Sequence, residues 1–156
     1  MNLDIISFIF TFVPMDEQYY ISRLEKKNVK PTALRLLILR TMMSAPFAVS
    51  LSDLNEMLGT VDKSTIFRTL TLFLGQHVIH AIEDGSGSLK YEVCSNECSC
   101  TINDMHTHFY CERCHRTFCF KNIQIPVIDL PEGFTMQSIN YMVKGICANC
   151  ILEEKT

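Results

Sequence analysis

No low-complexity tract interrupts this chain of 156 residues, and its apolar fraction of 47% is that of a folded protein, which excludes intrinsic disorder. A basic excess is missing too. The formal net charge is -3, so global charge gives no reason to expect a polyanionic partner. From Met15 to Lys90 nine Lys/Arg face eight Asp/Glu, and from Tyr91 onward five face eight. A nucleic-acid surface is therefore confined to a local patch in the first half. Residues 1–14 are apolar but lack the basic flank and small-residue cleavage site of a signal peptide. They are also too short to cross a bilayer, and Asp4 and Pro14 break them. They read as an extension outside the fold, with Met15 as an alternative start. The expectation is a cytoplasmic protein with no membrane partner, in a compartment where thiols stay reduced.

Against these absences stand eight cysteines, four of them in two Cys-x-x-Cys pairs, Cys111 with Cys114 and Cys147 with Cys150. Two such pairs supply four thiolates at the corners of a tetrahedron, which suits a structural zinc. Disulfide or redox-active pairs are the other reading, which reduced surroundings and the paired spacing disfavour. The chain can bury one moderate core or two small ones, the second of them metal-assisted. Just before the first pair, His106 and His108 stand two residues apart, on one face if the segment is a strand. Taken alone they read equally well as ordinary polar residues.

The first half reads as helices. Gln18 to Lys27 forms a short one, ended by Asn28 and followed by Pro31. Thr32 caps the next, Ala33 to about Ser44, and Pro46 stops it. Ser50 caps a third with Asp53 three residues on, and Gly59 fits its end. Asp62 caps a fourth, Lys63 to Leu74, with Ile66, Leu70, Phe73 and Leu74 inward. Ser64, Thr65, Arg68 and Leu72 then point outward, a small, polar, singly basic face that a major groove accepts. A hairpin follows: Val78 to Glu83, a turn through Asp84 to Gly87, and Leu89 to Cys94. With a three-residue loop, His80 falls opposite Glu92 and diagonal to Cys94. Three helices and a two-stranded ribbon make a winged helix-turn-helix with the fourth helix as reader. A helical domain without DNA contacts is the plainer alternative. After a polar connector, strands are expected at His106 to Cys111, Thr117 to Phe120 and Phe134 to Val143.

Four motifs carry a resemblance: Thr32-x-x-Arg35, Ser64-Thr65-Ile66-Phe67-Arg68-Thr69-Leu70, His106-x-His108-x-x-Cys111-x-x-Cys114 and Gly145-Ile146-Cys147-x-x-Cys150. In order and spacing, from about residue 18 to 150, they resemble the ferric uptake regulator family of dimeric metal-sensing transcription factors. The resemblance implies an α+β fold. It divides into a winged-helix DNA-binding domain over 15–94, a linker over 95–104, and a small zinc-stabilised α/β dimerisation domain over 105–156. It also implies a structural zinc on Cys111, Cys114, Cys147 and Cys150. Iron- and peroxide-sensing members use a histidine where this chain has Ala48. An additional iron-regulator site would need ligands near Met105, Thr107 and Ile139, none of which suits it.

The zinc-sensing branch implies a regulatory zinc on His80, Cys94, His106 and His108, with Glu92 and Cys119 as further candidates. Nitrogen with thiolate suits zinc; Glu92 in place of Cys94 would make a harder site open to Fe2+. On the DNA side Thr65 and Arg68 would read or approach bases, with Ser64 and Phe67 as further DNA-binding residues. Lys30 and Arg35 would then touch backbone or minor groove. Two departures stand out. His115 replaces the glycine usual after the second cysteine, and Pro126 and Pro131 confine any helix between them to about one turn. Cys98 and Cys100 have no family role and read as surface thiols.

The function implied is metal-dependent repression of metal-uptake genes by a homodimer on a double-stranded operator, with zinc as the sensed ion. An iron- or peroxide-responsive regulator and a thiol-based redox switch are the alternatives. An enzyme with a small-molecule substrate is not expected. The zinc-deaminase pattern needs His-x-Glu before its cysteine pair, and no carboxylate base with an evident cleft stands near the thiols.

Overall fold

The computed structural model describes residues 16–94, 106–126, 128–137 and 139–154. The 1–14 extension, the connector with Cys98 and Cys100, and Met105 lie outside the described residues. Each helix of the first half begins at a side-chain cap. Asp16 accepts from Gln18 N at the start of α1 (Glu17–Lys26), and Thr32 accepts from Arg35 N at the start of α2 (Ala33–Ser44). Pro46 follows α2 and forces extended chain, in which Val49–Ser50 forms a two-residue strand, β1. Ser50 and Asp53 then make a reciprocal capping box for α3 (Leu51–Leu58). Gly59 ends α3 at φ +53°, a conformation that costs glycine nothing. Asp62 caps α4 (Lys63–Gly75) through Thr65 N.

The wing is β2 (Ile79–Glu83) against β3 (Leu89–Val93), antiparallel, with His80 opposite Glu92 as the alternation and loop length require. One expectation needs correcting. The ribbon is three-stranded, in the order β1-β3-β2, because Val49 and Ser50 pair with Tyr91 and Lys90. A two-residue strand carries no readable alternation, so the sequence hid it. The helices and this sheet close over Leu24, Ile38, Leu39, Leu54, Ile66, Leu70 and Phe73, all buried. Burying each such side chain contributes roughly 1.5–3 kcal/mol.

The second half is a sheet of β4 (His106–Cys111), β5 (Thr117–Gln124) and β6 (Met142–Gly145) in the order β5-β4-β6. β4 runs antiparallel to β5 and parallel to β6. Here two more expectations shift. β5 runs past Phe120 to Gln124, and the last strand, expected over Phe134 to Val143, occupies only Met142–Gly145. The ladder on that side begins where Tyr141 O accepts from His108 N at 3.0 Å. A short helix absent from the sequence reading, α5 (Ala148–Glu153), follows Cys147. No helix occurs among the described residues between Pro126 and Pro131. The architecture is thus α+β, a winged helix followed by a small sheet with one helix.

The two halves touch through the wing. Ala48 N donates to Thr117 O at 2.8 Å, and Asn140 Nδ2 donates to Glu83 O at 2.9 Å. Thr117 Oγ1 donates to Asp84 Oδ2 at 2.6 Å. These contacts carry the wing strands up against β4 and β5.

Candidate metal centres

Two clusters of ligating side chains lie at opposite ends of β4. At its C-terminal end a tight turn brings Cys111 and Cys114 together, and β6 delivers Cys147 and Cys150 beside them. The four Sγ atoms all lie within 4.8 Å of one another, with Cys111 and Cys150 at 3.9 Å and Cys114 and Cys147 at 3.8 Å. His115 sits in this turn at φ +58°, the left-handed conformation that glycine adopts freely. Its ring accepts or donates at 2.9 Å to the Tyr110 hydroxyl, a contact a glycine cannot make. Arg113 donates to Cys150 O at 2.8 Å and pairs with Glu154 at 2.9 Å, which holds α5 against the turn.

The electrostatics of this cage ask for a cation. Burial opposes ionisation of Cys111, but backbone N–H groups of Cys114, Cys147 and Arg113 overcome it and bring the thiol down to about 6. Burial and the neighbouring sulfurs push Cys150 up to about 12, and burial raises Cys114 as well. Four sulfurs this close cannot all carry charge unless a dication stands among them. Zinc is four-coordinate and takes thiolates, so the donor set fits it.

The second cluster joins the two halves of the molecule. His80 comes from β2, Glu92 from β3, and His106 and His108 from β4; one ligand atom of each lies within 4.8 Å of the others. Glu92 Oε2 is 3.5 Å from both His80 Nε2 and His106 Nε2. The rings of His106 and His108 are 4.7 Å apart, and that of His80 is 5.7 and 6.1 Å from them. Neither nitrogen of His108 has a hydrogen-bond partner among the described residues, although both atoms are buried. A buried polar atom without a partner costs about 1–3 kcal/mol, and a metal ion removes that cost. Burial, with His106 and His80 nearby, pushes His108 down to about 4, so its imidazole is neutral and open to a metal at neutral pH. Burial alone would raise Glu92. The neighbouring polar groups of His106, His80 and Cys119, with the charge of Lys121, hold it well below the carboxylate range instead.

Of the six residues put forward for a regulatory site, the structure brings four into one group, with Glu92 in the place expected for Cys94. Cys94 is buried beside the group, its Sγ 3.5 Å from His80 Nδ1. The reason lies in strand geometry. Glu92 and Cys94 share a face, but Cys94 stands beyond the last ladder pair, Ile79 with Val93, and meets the far nitrogen of the imidazole. Its carbonyl accepts from the Arg23 guanidinium. Cys119 lies opposite His108 in the β4–β5 ladder, with its thiol toward Glu92. Burial and that carboxylate raise the Cys119 thiol, which therefore stays protonated beside the group. Lys121 was missed by the sequence reading. Its Nζ is 3.3 Å from Glu92 Oε1, and the available signal was its position two residues beyond Cys119 on one strand face. A cavity of about 440 Å³ opens beside Glu92, Cys94, Cys119 and Lys121 and reaches Ala48.

The face proposed for DNA is exposed at the start of α4. Ser64 and Thr65 donate through their hydroxyls to the Asp62 carboxylate, whose acidity these bonds increase, to about 2. Arg68 donates to Ser64 O at 3.4 Å, and Phe67 is 53% exposed, a large apolar ring left in solvent on the same helix. Arg35 donates to Lys30 O at 2.8 Å, which keeps these two basic residues together.

Comparison with known proteins gives a consistent picture. The model of the ferric uptake regulator family matches residues 26–140. The zinc uptake regulation protein of Escherichia coli K12 is 25% identical over 138 residues, covering 81% of this chain and 75% of that protein. A zinc uptake regulator solved in complex with zinc and DNA superposes with a TM-score of 0.61 at 22% identity, covering 90% of this chain and 98% of that one. The Helicobacter pylori ferric uptake regulator, solved with three functional metal-binding sites, gives 0.58 at 15% identity, with 87% and 94% covered.

Proposed function

Because this chain belongs to the ferric uptake regulator family, we propose that it is a zinc-responsive transcriptional repressor that binds operator DNA as a homodimer. The observation that carries the reading is the half-buried group of His80, Glu92, His106 and His108, contributed half by the wing and half by the second sheet. Such a site can be completed only when the two halves stand at one angle. Zinc bound there supplies a dication that all four side chains can share. His80 and Glu92 then hold the wing, and His106 and His108 hold the sheet. In a dimer the distance between the two α4 helices follows from that angle, and half-sites on a duplex demand a fixed distance. Occupancy thereby becomes DNA affinity.

The four-cysteine cage plays the other part, holding the small second sheet folded through a metal that does not exchange. Zinc uptake regulators among the relatives support zinc as the sensed ion. A group without thiolate also accepts ferrous iron, which keeps iron sensing as the second reading. The zinc uptake regulators among its relatives support reading it as a regulator rather than an enzyme. A regulator that binds operator DNA works beside it, and on that reading we place the protein in the cytoplasm; no helix among the described residues is long and apolar enough to cross a membrane.

The test is metal analysis of purified protein before and after mild chelation, paired with DNA binding. One zinc per chain should survive chelation, and a second should leave together with operator affinity. Operator affinity indifferent to the exchangeable metal would overturn the reading, and release by peroxide without metal loss would favour a thiol switch.

A further inference from the structure

Glu92 presents its two carboxylate oxygens to different neighbours. Oε2 faces His80 and His106 at 3.5 Å, while Oε1 lies 3.3 Å from Lys121 Nζ. The Lys121 side chain is 53% exposed and the Glu92 side chain 17%, so a solvated ammonium reaches inward to a half-enclosed carboxylate. Lys121 comes from β5, as does Cys119, and the 440 Å³ cavity lies directly beside both.

Resting on the reading of this group as the exchangeable metal site, we propose that Lys121 determines metal specificity by restricting Glu92 to one donor oxygen. With Oε1 held by an ammonium, the side chains of the group offer three imidazole nitrogens and one oxygen. Four donors satisfy zinc, which has no need of more. Manganous and ferrous ions favour fuller shells with more oxygen, and a carboxylate free to use both oxygens would serve them better. The adjoining cavity makes the restriction matter. Without Lys121 its space could admit water next to the site, so both a second carboxylate oxygen and a solvent donor would become available. A positive charge beside Glu92 also weakens the pull of the carboxylate on any cation, and softer binding by nitrogen then counts for more. The residue acts through Glu92 and is a positioning residue.

Cobalt(II) reports donor number directly, because four-coordinate cobalt absorbs visible light several times more strongly than five- or six-coordinate cobalt. The experiment uses the full chain with its cage already filled by zinc, and titrates the remaining site with Co(II), Zn(II) and Mn(II). Three proteins are compared: wild type, Lys121→Met, which keeps the stem and removes the charge, and Lys121→Arg, which keeps the charge. Wild type and Lys121→Arg should give the intense spectrum. Lys121→Met should give a weaker one, and its preference for zinc over manganese should fall by about tenfold, as expected for loss of a residue that orients a ligand. If Lys121→Met keeps the intense spectrum and the same preference, Lys121 does not set the donor number and the proposal fails alone. A weak spectrum already in wild type has the same meaning. If wild type takes up no cobalt beyond the cage, the metal-site reading fails and carries the proposal with it.

Discussion

Thr117 on β5 donates a 2.6 Å hydrogen bond to Asp84 at the wing turn, and both residues are buried. Asp84 also accepts from Ser86 N at 2.8 Å, so its carboxylate shapes the turn and ties it to the second sheet at once. This latch contains no metal ligand, yet it joins the same two halves as the His80 group.

Thr117→Val keeps the shape and removes the donor, leaving a buried carboxylate short of a partner. The expected cost is about 1–3 kcal/mol in chemical denaturation. Affinity at the His80 group should fall as well, because its two halves are held less firmly, while the cage keeps its zinc. A variant with wild-type stability and metal affinity would mean that the latch is incidental.

The same contact has a pH signature. Burial alone would raise Asp84, but hydrogen bonds from Ser86 and Thr117 overcome it and lower the group below its ordinary value. A depressed folded-state value means a stabilising contribution that is present above the unfolded value, near pH 4, and lost as pH falls through the folded one. Stability of the wild type should therefore decline on the acid side of pH 4, and Thr117→Val, whose Asp84 is less depressed, should lose less stability over the same range. Denaturation midpoints measured across pH 3–7, an interval of about four units chosen to bracket that carboxylate range, test this.

Glu92→Gln and Cys94→Ser separate the two candidate ligands. Glu92 lies within the group, whereas the Cys94 thiol stands beside it, 3.5 Å from His80 Nδ1. The glutamate variant should lose about 100-fold or more in affinity at the exchangeable site. The serine variant should lose about tenfold or less, the scale of an orienting neighbour. Isothermal titration with zinc, the cage pre-filled, measures both. The reverse order would return Cys94 to the position that the sequence resemblance gave it.

Arg68→Ala should weaken specific operator binding by about 1–3 kcal/mol while leaving the unfolding midpoint unchanged. Its guanidinium makes only long contacts to Ser64 on an exposed helix face, so the fold has little to lose. An equal drop in thermal stability would make it a structural residue.

Stripping the cage with a strong chelator under mild denaturation should unfold the second sheet first. The four helices α1 to α4 draw on their own core of Leu24, Ile38, Leu54 and Phe73, and most helical circular dichroism should remain. Simultaneous loss of all helical signal would show that the two halves fold as one unit.

What the sequence determined by itself is whatever depends on neighbours along the chain. Caps at Thr32, Ser50 and Asp62 act within one turn, so the helix starts were legible. The Cys-x-x-Cys pairs announce a tetrahedral cage because each pair is closed by a single turn. The pairing of His80 with Glu92 followed from alternation and a three-residue loop. Tertiary structure alone decided the rest. Cys94 and Glu92 share a strand face, and only the end of the ladder at Val93 turns one toward the group and the other toward the back of His80. Lys121 reaches Glu92 across two sheets, Thr117 reaches Asp84 across the join, and Val49 finds Tyr91 through a two-residue strand. Such contacts link residues distant along the chain, and their geometry depends on how the wing stands against the second sheet, an angle that no local pattern encodes.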